Sequence, residues 1–207
     1  MASDWTREMF HVKHGEKQMQ KNETYSVEIT GLTAEGEGVA RVDGQVVFVP
    51  GVIPGERCEI KIDHVGRTCA YGSLVRVEKT SEHRVTPECE SFGHCGGCVF
   101  WHMDYACELE QKRRRVQDAL SRIGGIDFPD LQITGSQSIY GYRNKVQFPV
   151  QSQNGKTVAG FYRTGSHTVI PITDCKIQPG VAKTIRAAVL SWMEKENVPA
   201  YDERTHT

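Results

Sequence analysis

Short stretches in which apolar and polar side chains alternate run along the chain from residue 25 to residue 80. The apolar positions of two of them are Tyr25, Val27 and Ile29, and then Cys58, Ile60 and Ile62. A period of two is typical of strands that bury one face. Asp43-Gly44, between two further stretches, has the composition of a two-residue type I′ hairpin turn. Together these segments predict about five strands over residues 22–80, the strand count of a small closed barrel of the OB kind.

A helical period follows a cysteine-rich loop at residues 89–98. Asp104 is the predicted N-cap of this helix, and Gly124-Gly125 is its predicted end. The apolar stripe of the helix comprises Tyr105, Leu109, Val116, Leu120 and Ile123. Cys107 is expected to lie off this stripe, about 200° around the helix from Tyr105.

The second half of the chain returns to strand-like patterns before a last helix. The strand-like runs are residues 143–150, 158–163 and 168–172, and they predict an antiparallel sheet. Residues 181–196 predict an amphipathic helix through Ile185, Val189, Trp192 and Met193.

These elements predict an α+β fold that is mainly β. Residues 1–21 are expected to be a flexible leader, and residues 22–80 form the OB-like barrel. Residues 81–207 are expected to hold the cysteine loop, the helix and the central sheet in a second domain.

Composition limits the class of protein. No apolar run approaches the ~18 residues of a membrane span, and the polar first 21 residues lack the ~7 apolar residues of a signal peptide. We therefore expect a soluble, cytoplasmic monomer with no membrane partner. The net charge of −1 argues against both a polybasic nucleic-acid tail and an acidic disordered chain.

Seven cysteines carry the clearest chemical signal. Cys89, Cys95 and Cys98 place three thiols within ten residues, with glycines between them that let the backbone wrap closely around a metal. Such a soft site favours a fourth thiolate. Cys58 is expected in the barrel core, Cys69 opens a strand and Cys107 lies on a helix, which leaves Cys175 in a loop as the fourth candidate. Spacing alone leaves a zinc site and a [4Fe-4S] cluster equally open.

Several segments resemble the bacterial RNA uracil-5-methyltransferases that make 5-methyluridine in 23S rRNA. The first is Cys89-Glu-Ser-Phe-Gly-His-Cys95-Gly-Gly-Cys98, followed by Trp101-His-Met-Asp-Tyr105 and Lys112-Arg-Arg-Arg-Val116. The later ones are Tyr142-Arg-Asn-Lys-Val-Gln-Phe-Pro149, Ala159-Gly-Phe-Tyr162, Ser166-His167 and Asp174-Cys-Lys-Ile-Gln178. Residues 22–80, with Gly36-Glu-Gly-Val-Ala40 and Phe48-Val-Pro-Gly51, resemble the N-terminal TRAM domain of that family, an OB-like RNA-binding barrel.

The resemblance implies a cofactor and a missing part. It favours a [4Fe-4S] cluster with Cys89, Cys95, Cys98 and Cys175 as ligands, in a chain that is the RNA-recognition and cluster-bearing part of a 23S rRNA uracil-5-methyltransferase. Family members continue into a Rossmann-like domain that binds S-adenosylmethionine and supplies the cysteine nucleophile and the carboxylate base. This chain ends where that domain would begin, so the resemblance implies no catalytic residue here and predicts that the chain alone is inactive.

RNA contacts are predicted for the central segment. Residues 22–80 carry six basic and nine acidic side chains, so bulk charge does not favour the barrel as an RNA-binding surface. Residues 143–186 carry seven basic side chains and one acidic side chain, with aromatic residues interleaved. Arg143, Lys145 and Arg163 are the candidate RNA-binding residues. The alternative for any one of them is a solvated position on a sheet face.

Two other functions stay open at this point. The chain has the parts of a stand-alone RNA-binding module with a structural four-cysteine metal site and no catalysis. A radical enzyme is the second alternative, because tRNA methylthiotransferases also carry TRAM domains. Their C-x3-C-x2-C loop leaves one iron open, whereas here the first gap is five residues and a fourth thiolate is available, which favours a closed, structural cluster.

Overall fold

The computed structural model describes residues 19–202 and residue 205, and these form two β-sheets and two long helices. The strands are β1 (Thr24–Glu28), β2 (Gly31–Leu32), β3 (Gly38–Val42), β4 (Gln45–Val49), β5 (Arg57–Val65), β6 (Cys69–Lys79), β7 (Val150–Gln153), β8 (Lys156–Tyr162) and β9 (Val169–Pro171). The helices are α1 (Tyr105–Asp118), continued by a π-helical turn at Ala119–Ile123, and α2 (Gly180–Lys195). Except for residues 19–21, the predicted leader lies outside the described residues. Within the described part of the chain, no helix is both long and apolar enough to cross a membrane.

Strands β1 to β6 form one sheet that closes into a barrel. The order is β1-β5-β6-β4-β3-β2, with β1 and β2 at the two ends. Only Ile29 and Thr30 separate these two strands. The Ile29 N–H donates to the carbonyl of Glu56 at 2.9 Å, and the Thr30 N–H donates to the carbonyl of Val39 at 2.9 Å. One bent segment therefore forms both ends of the sheet, because its β1 part pairs with β5 and its β2 part pairs with β3. This closure gives the five-stranded barrel predicted from the sequence, with its first strand divided into β1 and β2.

The barrel interior contains the apolar positions of the alternating pattern. Cys58, Ile60 and Ile62 of β5 are completely buried, and Val47 and Val49 of β4 are equally inaccessible. Burying a side chain of this size contributes roughly 1.5–3 kcal/mol each. The placement of Cys58 in the barrel core, predicted from the sequence, is confirmed.

The hairpin between β3 and β4 has the predicted turn. Asp43 and Gly44 have φ angles of 48° and 81°, and Val42 pairs with Gln45 across them. Positive φ at both central residues defines a type I′ turn, whose twist matches that of the flanking strands.

A buried ion pair anchors the segment that leaves the barrel. The carboxylate of Glu56, which is 0% exposed, accepts hydrogen bonds from Arg84 Nε at 2.5 Å and Nη2 at 2.8 Å, and from the Ile53 N–H at 3.0 Å. Burial alone would raise the pKa of Glu56, but the hydrogen bonds from Arg84 and Ile53 outweigh it, so the pKa is lowered. Glu56 is therefore ionised at neutral pH and fixes Arg84 against the barrel.

Helix α1 begins at the predicted N-cap. Asp104 Oδ1 accepts the N–H of Cys107 at 2.7 Å, and Asp104 Oδ2 lies 2.8 Å from Nδ1 of His83. The π-helical turn after α1 ends at Gly124, as predicted from the glycine pair.

The buried side of α1 differs from the predicted stripe. Val116 and Ile123 are 47% and 88% exposed, whereas Cys107 is buried against Ile53 and Met103. The placement of Cys107 away from the buried face is wrong. The barrel contacts only the first turns of α1, and it does so on the side of Cys107. A sequence period shows which side of a helix is apolar, but it does not show which side a neighbouring domain covers or how far along the helix that contact extends.

Strands β7, β8 and β9 form the predicted antiparallel sheet, with one correction. Residues 143–149 form no strand. The Arg143 N–H donates instead to the carbonyl of Ile177 at 2.9 Å, so this segment is bound to the loop that follows Cys175. Pro149, which has no N–H to offer a ladder, stands directly before β7.

Helix α2 matches the predicted range but faces the sheet with a different side. Ala182 and Met193 are its buried residues, and it packs against β8. The apolar side chains that remain exposed are Val181, Ile185, Val189 and Trp192.

The Glu56–Arg84 pair generates a stability prediction. Glu56→Gln leaves Arg84 without a charged partner, so we expect the free energy of unfolding in urea, followed by circular dichroism, to fall by roughly 3 kcal/mol at pH 7. A carboxyl group with a lowered folded pKa stabilises above its unfolded value of 4.5 and loses this contribution as the pH falls through the folded pKa. The difference between wild type and variant should therefore shrink below pH 4.5.

Glu59→Gln is the matched control, because Glu59 pairs with Arg76 on the barrel surface, where the Arg76 side chain is 64% exposed. An exposed pair contributes at most about 1 kcal/mol. Equal losses for the two variants would contradict the assignment of Glu56 as the anchor.

Candidate metal centre

The cysteine loop at residues 89–98 is a series of tight turns. The Phe92 N–H donates to the carbonyl of Cys89 at 3.0 Å, and the Cys95 N–H donates to the carbonyl of Ser91 at 2.8 Å. Gly93 has a φ angle of 81°, a backbone conformation that residues other than glycine rarely adopt. These turns bring the predicted ligands of the loop back towards one another.

The loop is fastened to the end of β8 by its backbone. The Gly96 N–H donates to the carbonyl of Tyr162 at 2.9 Å, and Cys95 forms an isolated bridge with Arg163. A Cβ at Gly96 would lie 3.1 Å from the Tyr162 oxygen and 3.2 Å from the Thr164 nitrogen. Glycine at this position therefore allows the close approach of loop and sheet.

The fourth cysteine reaches the same place from the other end of the sheet. Cys175 follows β9 and begins a turn in which the Gln178 N–H donates to its carbonyl at 3.1 Å. One small cavity is lined by all four predicted ligands, Cys89, Cys95, Cys98 and Cys175. Apolar walls are contributed by Phe92, Phe161, Ile172 and Ile177. Among residues 19–202 and 205, no three cysteine, histidine or acidic side chains lie close enough together to hold a metal ion as they stand.

Neighbouring N–H groups act on three of the sulfur atoms. The Gly97 N–H donates to Cys95 Sγ at 3.3 Å. Hydrogen bonding from the Trp101 side chain lowers the pKa of Cys98 against the larger effect of burial, and backbone N–H groups after Cys175 do the same for its pKa. Hydrogen bonds of this kind stabilise thiolates and tune iron–sulfur sites. The spacing of the cysteines does not predict the part of Trp101, because an aromatic residue carries no metal-ligand signal.

Burial acts on the pKa of three of the cavity thiols, those of Cys95, Cys98 and Cys175. Burial, reinforced by the neighbouring cysteines, raises the pKa of Cys98 to about 11, and burial also raises the pKa of Cys95 and Cys175. A bound cation would reverse this balance, because metal ligation requires thiolates and releases their protons. Four soft donors, apolar walls and N–H groups directed at sulfur fit a zinc ion or an iron–sulfur cluster.

The other three cysteines lie elsewhere. Cys58 is in the barrel core, Cys107 packs between the barrel and α1, and Cys69 is hydrogen-bonded to the side chain of Tyr71. None of them lines the cavity.

The candidate RNA-binding residues surround this cavity or follow it. Arg143 lines the cavity, and the backbone of Arg163 forms the isolated β-bridge with Cys95. The side chains of Arg143, Lys145 and Arg163 are all exposed. In the described part of the chain, none of the three has a carboxylate partner. Two other cations of the segment differ, since Lys176 pairs with Asp174 at 2.9 Å and Arg186 lies over the ring of Phe148.

The interleaved aromatic residues divide into two groups. Phe148 and Phe161 pack together with ring centroids 5.3 Å apart and are half-buried. Tyr142 and Tyr162 are 58% and 40% exposed. The two tyrosines are therefore the more accessible rings, and Tyr162 already stacks on His167 with ring centroids 5.4 Å apart.

Known proteins resemble the chain in three ways. The TRAM domain family matches residues 18–75, which contain β1 to β5 and most of β6. A Clostridium tetani protein named as an uncharacterized RNA methyltransferase is 41% identical over 188 residues, covering 91% of this chain and 41% of that protein. A protein of Oceanobacillus iheyensis with the same kind of name is 37% identical, with the same coverage of both chains.

A solved structure shares the fold. The tRNA (uracil-54, C5)-methyltransferase of Pyrococcus abyssi, in complex with S-adenosyl-L-homocysteine, superposes with a TM-score of 0.61 at 19% identity. The match covers 87% of this chain and 40% of that protein. The chain thus spans about two fifths of the length of the curated relatives it matches.

The close approach at Gly96 predicts a sensitive position. In Gly96→Ala the added Cβ pushes against the end of β8, and overpacking of this kind costs about 1–3 kcal/mol. We expect the midpoint of urea unfolding to fall accordingly. Gly180→Ala is the control, because a Cβ there meets nothing within 4 Å at the start of α2. Identical midpoints for Gly96→Ala and wild type would show that the loop does not need this approach.

Proposed function

We infer that the chain belongs to the family of TRAM-containing RNA methyltransferases that includes the uracil-5-methyltransferases. The sequence motifs predicted this family, and the TRAM domain and the relatives named RNA methyltransferases support it. We propose that it is the RNA-recognition and [4Fe-4S]-bearing part of a 23S rRNA uracil-5-methyltransferase. The methyl donor would be S-adenosylmethionine and the product 5-methyluridine.

The observation that carries this proposal is the shared cavity of Cys89, Cys95, Cys98 and Cys175. Three of these residues come from one loop and the fourth follows β9, so only the folded chain brings them together. Two exposed arginines lie beside this cavity: Arg143 lines it, and Arg163 forms a β-bridge with the ligand candidate Cys95. A closed metal centre here would lock the loop to the central sheet and hold these cations in position for phosphate groups.

An iron–sulfur cluster is the proposed occupant rather than zinc. Both use four thiolates, and the choice rests on the loop and the segments after it, which are similar in residues and in order to those of the 23S rRNA enzymes. The four cysteines would hold the cluster, and its role would be structural, because all four iron positions would carry a protein ligand.

RNA is the proposed substrate class, and 23S rRNA the proposed substrate. The TRAM domain and the relatives named RNA methyltransferases support RNA as the partner. The solved neighbour is named for tRNA, but at 19% identity it supports the fold alone. The ribosomal target rests on the sequence motifs.

Methyl transfer is assigned to the part of the relatives beyond the match. Attack on a uracil ring needs an accessible thiolate. Cys58 is fully buried, and burial raises its pKa to about 11. Cys107 is buried too, and Cys69, at the start of β6 in the barrel, is half-buried. The chain by itself is therefore expected to be inactive.

The cluster proposal predicts iron. Protein purified without oxygen should be brown and contain about four iron ions and four sulfides per chain. Cys175→Ser should lose most of the iron, measured by metal analysis and visible absorption, and should unfold at a lower temperature because the link between β9 and the loop is lost.

Cys69→Ser is the control for this experiment, since Cys69 is half-buried and lies outside the cavity. It should keep its iron and colour. Colourless wild-type protein with stoichiometric zinc would contradict the cluster while preserving the four-cysteine site.

The RNA proposal predicts a salt-dependent effect. Replacing Arg143, Lys145 and Arg163 together by alanine should weaken binding to a 23S rRNA hairpin, measured by fluorescence anisotropy between roughly 50 and 200 mM salt. Each phosphate interaction that the variant removes should reduce the slope of log K against log salt by roughly 0.7–0.9.

A matched triple variant on α1 removes the same charge. Lys112, Arg113 and Arg114 are already paired with Glu108 and Glu110, so their replacement should change the slope much less. Equal effects of the two triple variants would contradict a specific RNA-binding role for Arg143, Lys145 and Arg163 and would show that they contribute only positive charge in general.

A further inference from the structure

Three aromatic rings lie side by side on the outer face of the barrel. Phe48 on β4, Tyr71 on β6 and His64 on β5 belong to three neighbouring strands. The ring centroids of Phe48 and Tyr71 are 5.6 Å apart, and those of His64 and Tyr71 are 6.4 Å apart. We call these three residues the ring platform.

The strand register builds the ring platform. Phe48 is directly opposite Tyr71 in the parallel pair of β4 and β6, and His64 is directly opposite Tyr71 in the antiparallel pair of β5 and β6. A bulge between Ile62 and His64 shifts the alternation of β5. Without it, His64 would follow the buried positions of this strand into the core. Bulges often redirect a side chain in this way, at a cost in ladder hydrogen bonds.

The rings are accessible. Tyr71 is 44% exposed, His64 is exposed and Phe48 is half-buried, while Val65, the next residue after His64, packs against the core. A cross-strand aromatic cluster also stabilises a sheet, at about 0.2–1 kcal/mol for each pair. That role does not require an outward bulge at His64, because β6 already pairs with eight of the nine residues of β5.

Unpaired cations border the ring platform. Arg41 is opposite Val46, the outward neighbour of Phe48 along β4, and Lys61 is opposite Ser73, the outward neighbour of Tyr71 along β6. Arg67 is in the turn between β5 and β6. All three are exposed, and none has a carboxylate partner within the described ranges.

Three of the nine carboxylates of the barrel are engaged elsewhere. Glu56 is bound to Arg84, and Glu59 and Glu78 are bound to Arg76. Two carboxylates lie near the rings. The charge of Glu37 adds to the effect of Cys69 in raising the pKa of the Tyr71 hydroxyl, and Asp63 accepts a hydrogen bond from the Ser73 hydroxyl. The net charge of the barrel therefore does not describe the charge beside the rings, where Arg41, Lys61 and Arg67 have no carboxylate partner among the described residues.

We propose that the ring platform stacks on unpaired bases of an RNA strand, with Arg41, Lys61 and Arg67 near its phosphates. Aromatic side chains flanked by cations are the arrangement with which barrels of this class bind single strands, because every base offers a π-face. This inference rests on the proposed function, and it adds to it a second RNA-contacting surface on the barrel, independent of the cations at the cysteine cavity.

The test compares Tyr71→Leu with Tyr71→Trp in the 207-residue chain. The probe is a short oligouridylate that carries one 2-aminopurine, whose fluorescence is quenched when it stacks. Tyr71→Leu should weaken binding about 5- to 100-fold, the range for the removal of one stacked base, and should abolish the quench. Tyr71→Trp should restore both. Val75→Ala, which removes a 51% exposed apolar side chain from the same strand, should leave both unchanged. Circular dichroism and melting temperatures establish that each variant is folded.

Each other outcome overturns a defined statement. Wild-type affinity in a folded Tyr71→Leu variant overturns the ring platform. If the Arg143, Lys145 and Arg163 variant is weakened in the same assay, the proposed function stands without it. Weakened binding in both the Leu and the Trp variant overturns stacking as the mode of contact. If the wild-type chain binds neither the oligonucleotide nor the rRNA hairpin, both the platform and the proposed function are wrong.

Discussion

The backbone contact between Gly96 and Tyr162 is the constraint on which the candidate metal centre depends. It holds the cysteine loop against the end of β8 at a distance that a side chain at residue 96 would increase. A second close approach continues the arrangement, because a Cβ at Gly160 would lie 1.8 Å from the carbonyl oxygen of Ile170. Strand β9 is therefore drawn tightly to β8, and Cys175 follows it to the cavity. Close approaches at two glycines thus bring the cysteine loop and Cys175 to one cavity.

The barrel is joined to this centre by consecutive residues. Arg84 is bound to the buried Glu56 and forms a bridge with Met103, and its neighbour His83 contacts Asp104, which caps α1. Burial of Glu56 makes the first of these links costly to break. The barrel, the chain on both sides of the cysteine loop and the start of α1 are therefore held in one relation. The RNA contacts proposed for the barrel and for the cysteine cavity would therefore lie on surfaces that are fixed relative to each other.

Local signals in the sequence predicted what local physics determines. The type I′ turn at Asp43-Gly44, the cap at Asp104 and the alternation along β5 depend on a few neighbouring residues, and all three are present. The segment at residues 143–149 was misassigned as a strand because its partner is the loop after Cys175, which no period reveals. The outward turn of His64 depends on a bulge, and the burial of Cys107 depends on where the barrel contacts α1. Such errors arise where tertiary contacts override a local pattern.

Charge shows the same difference between composition and placement. By composition, the barrel is acidic and the central segment basic, which assigns RNA binding to the latter alone. The structure changes this balance, because Glu56, Glu59 and Glu78 are neutralised by arginines, while Lys176 in the central segment is neutralised by Asp174. Long-range attraction depends on total charge, but contacts with phosphate depend on cations that have no carboxylate within reach. Over the described residues, the barrel, with Arg41, Lys61 and Arg67 among its exposed cations, and the central segment, with Arg143, Lys145 and Arg163 among its own, both carry cations without a carboxylate partner, so net charge by composition does not decide between these two surfaces.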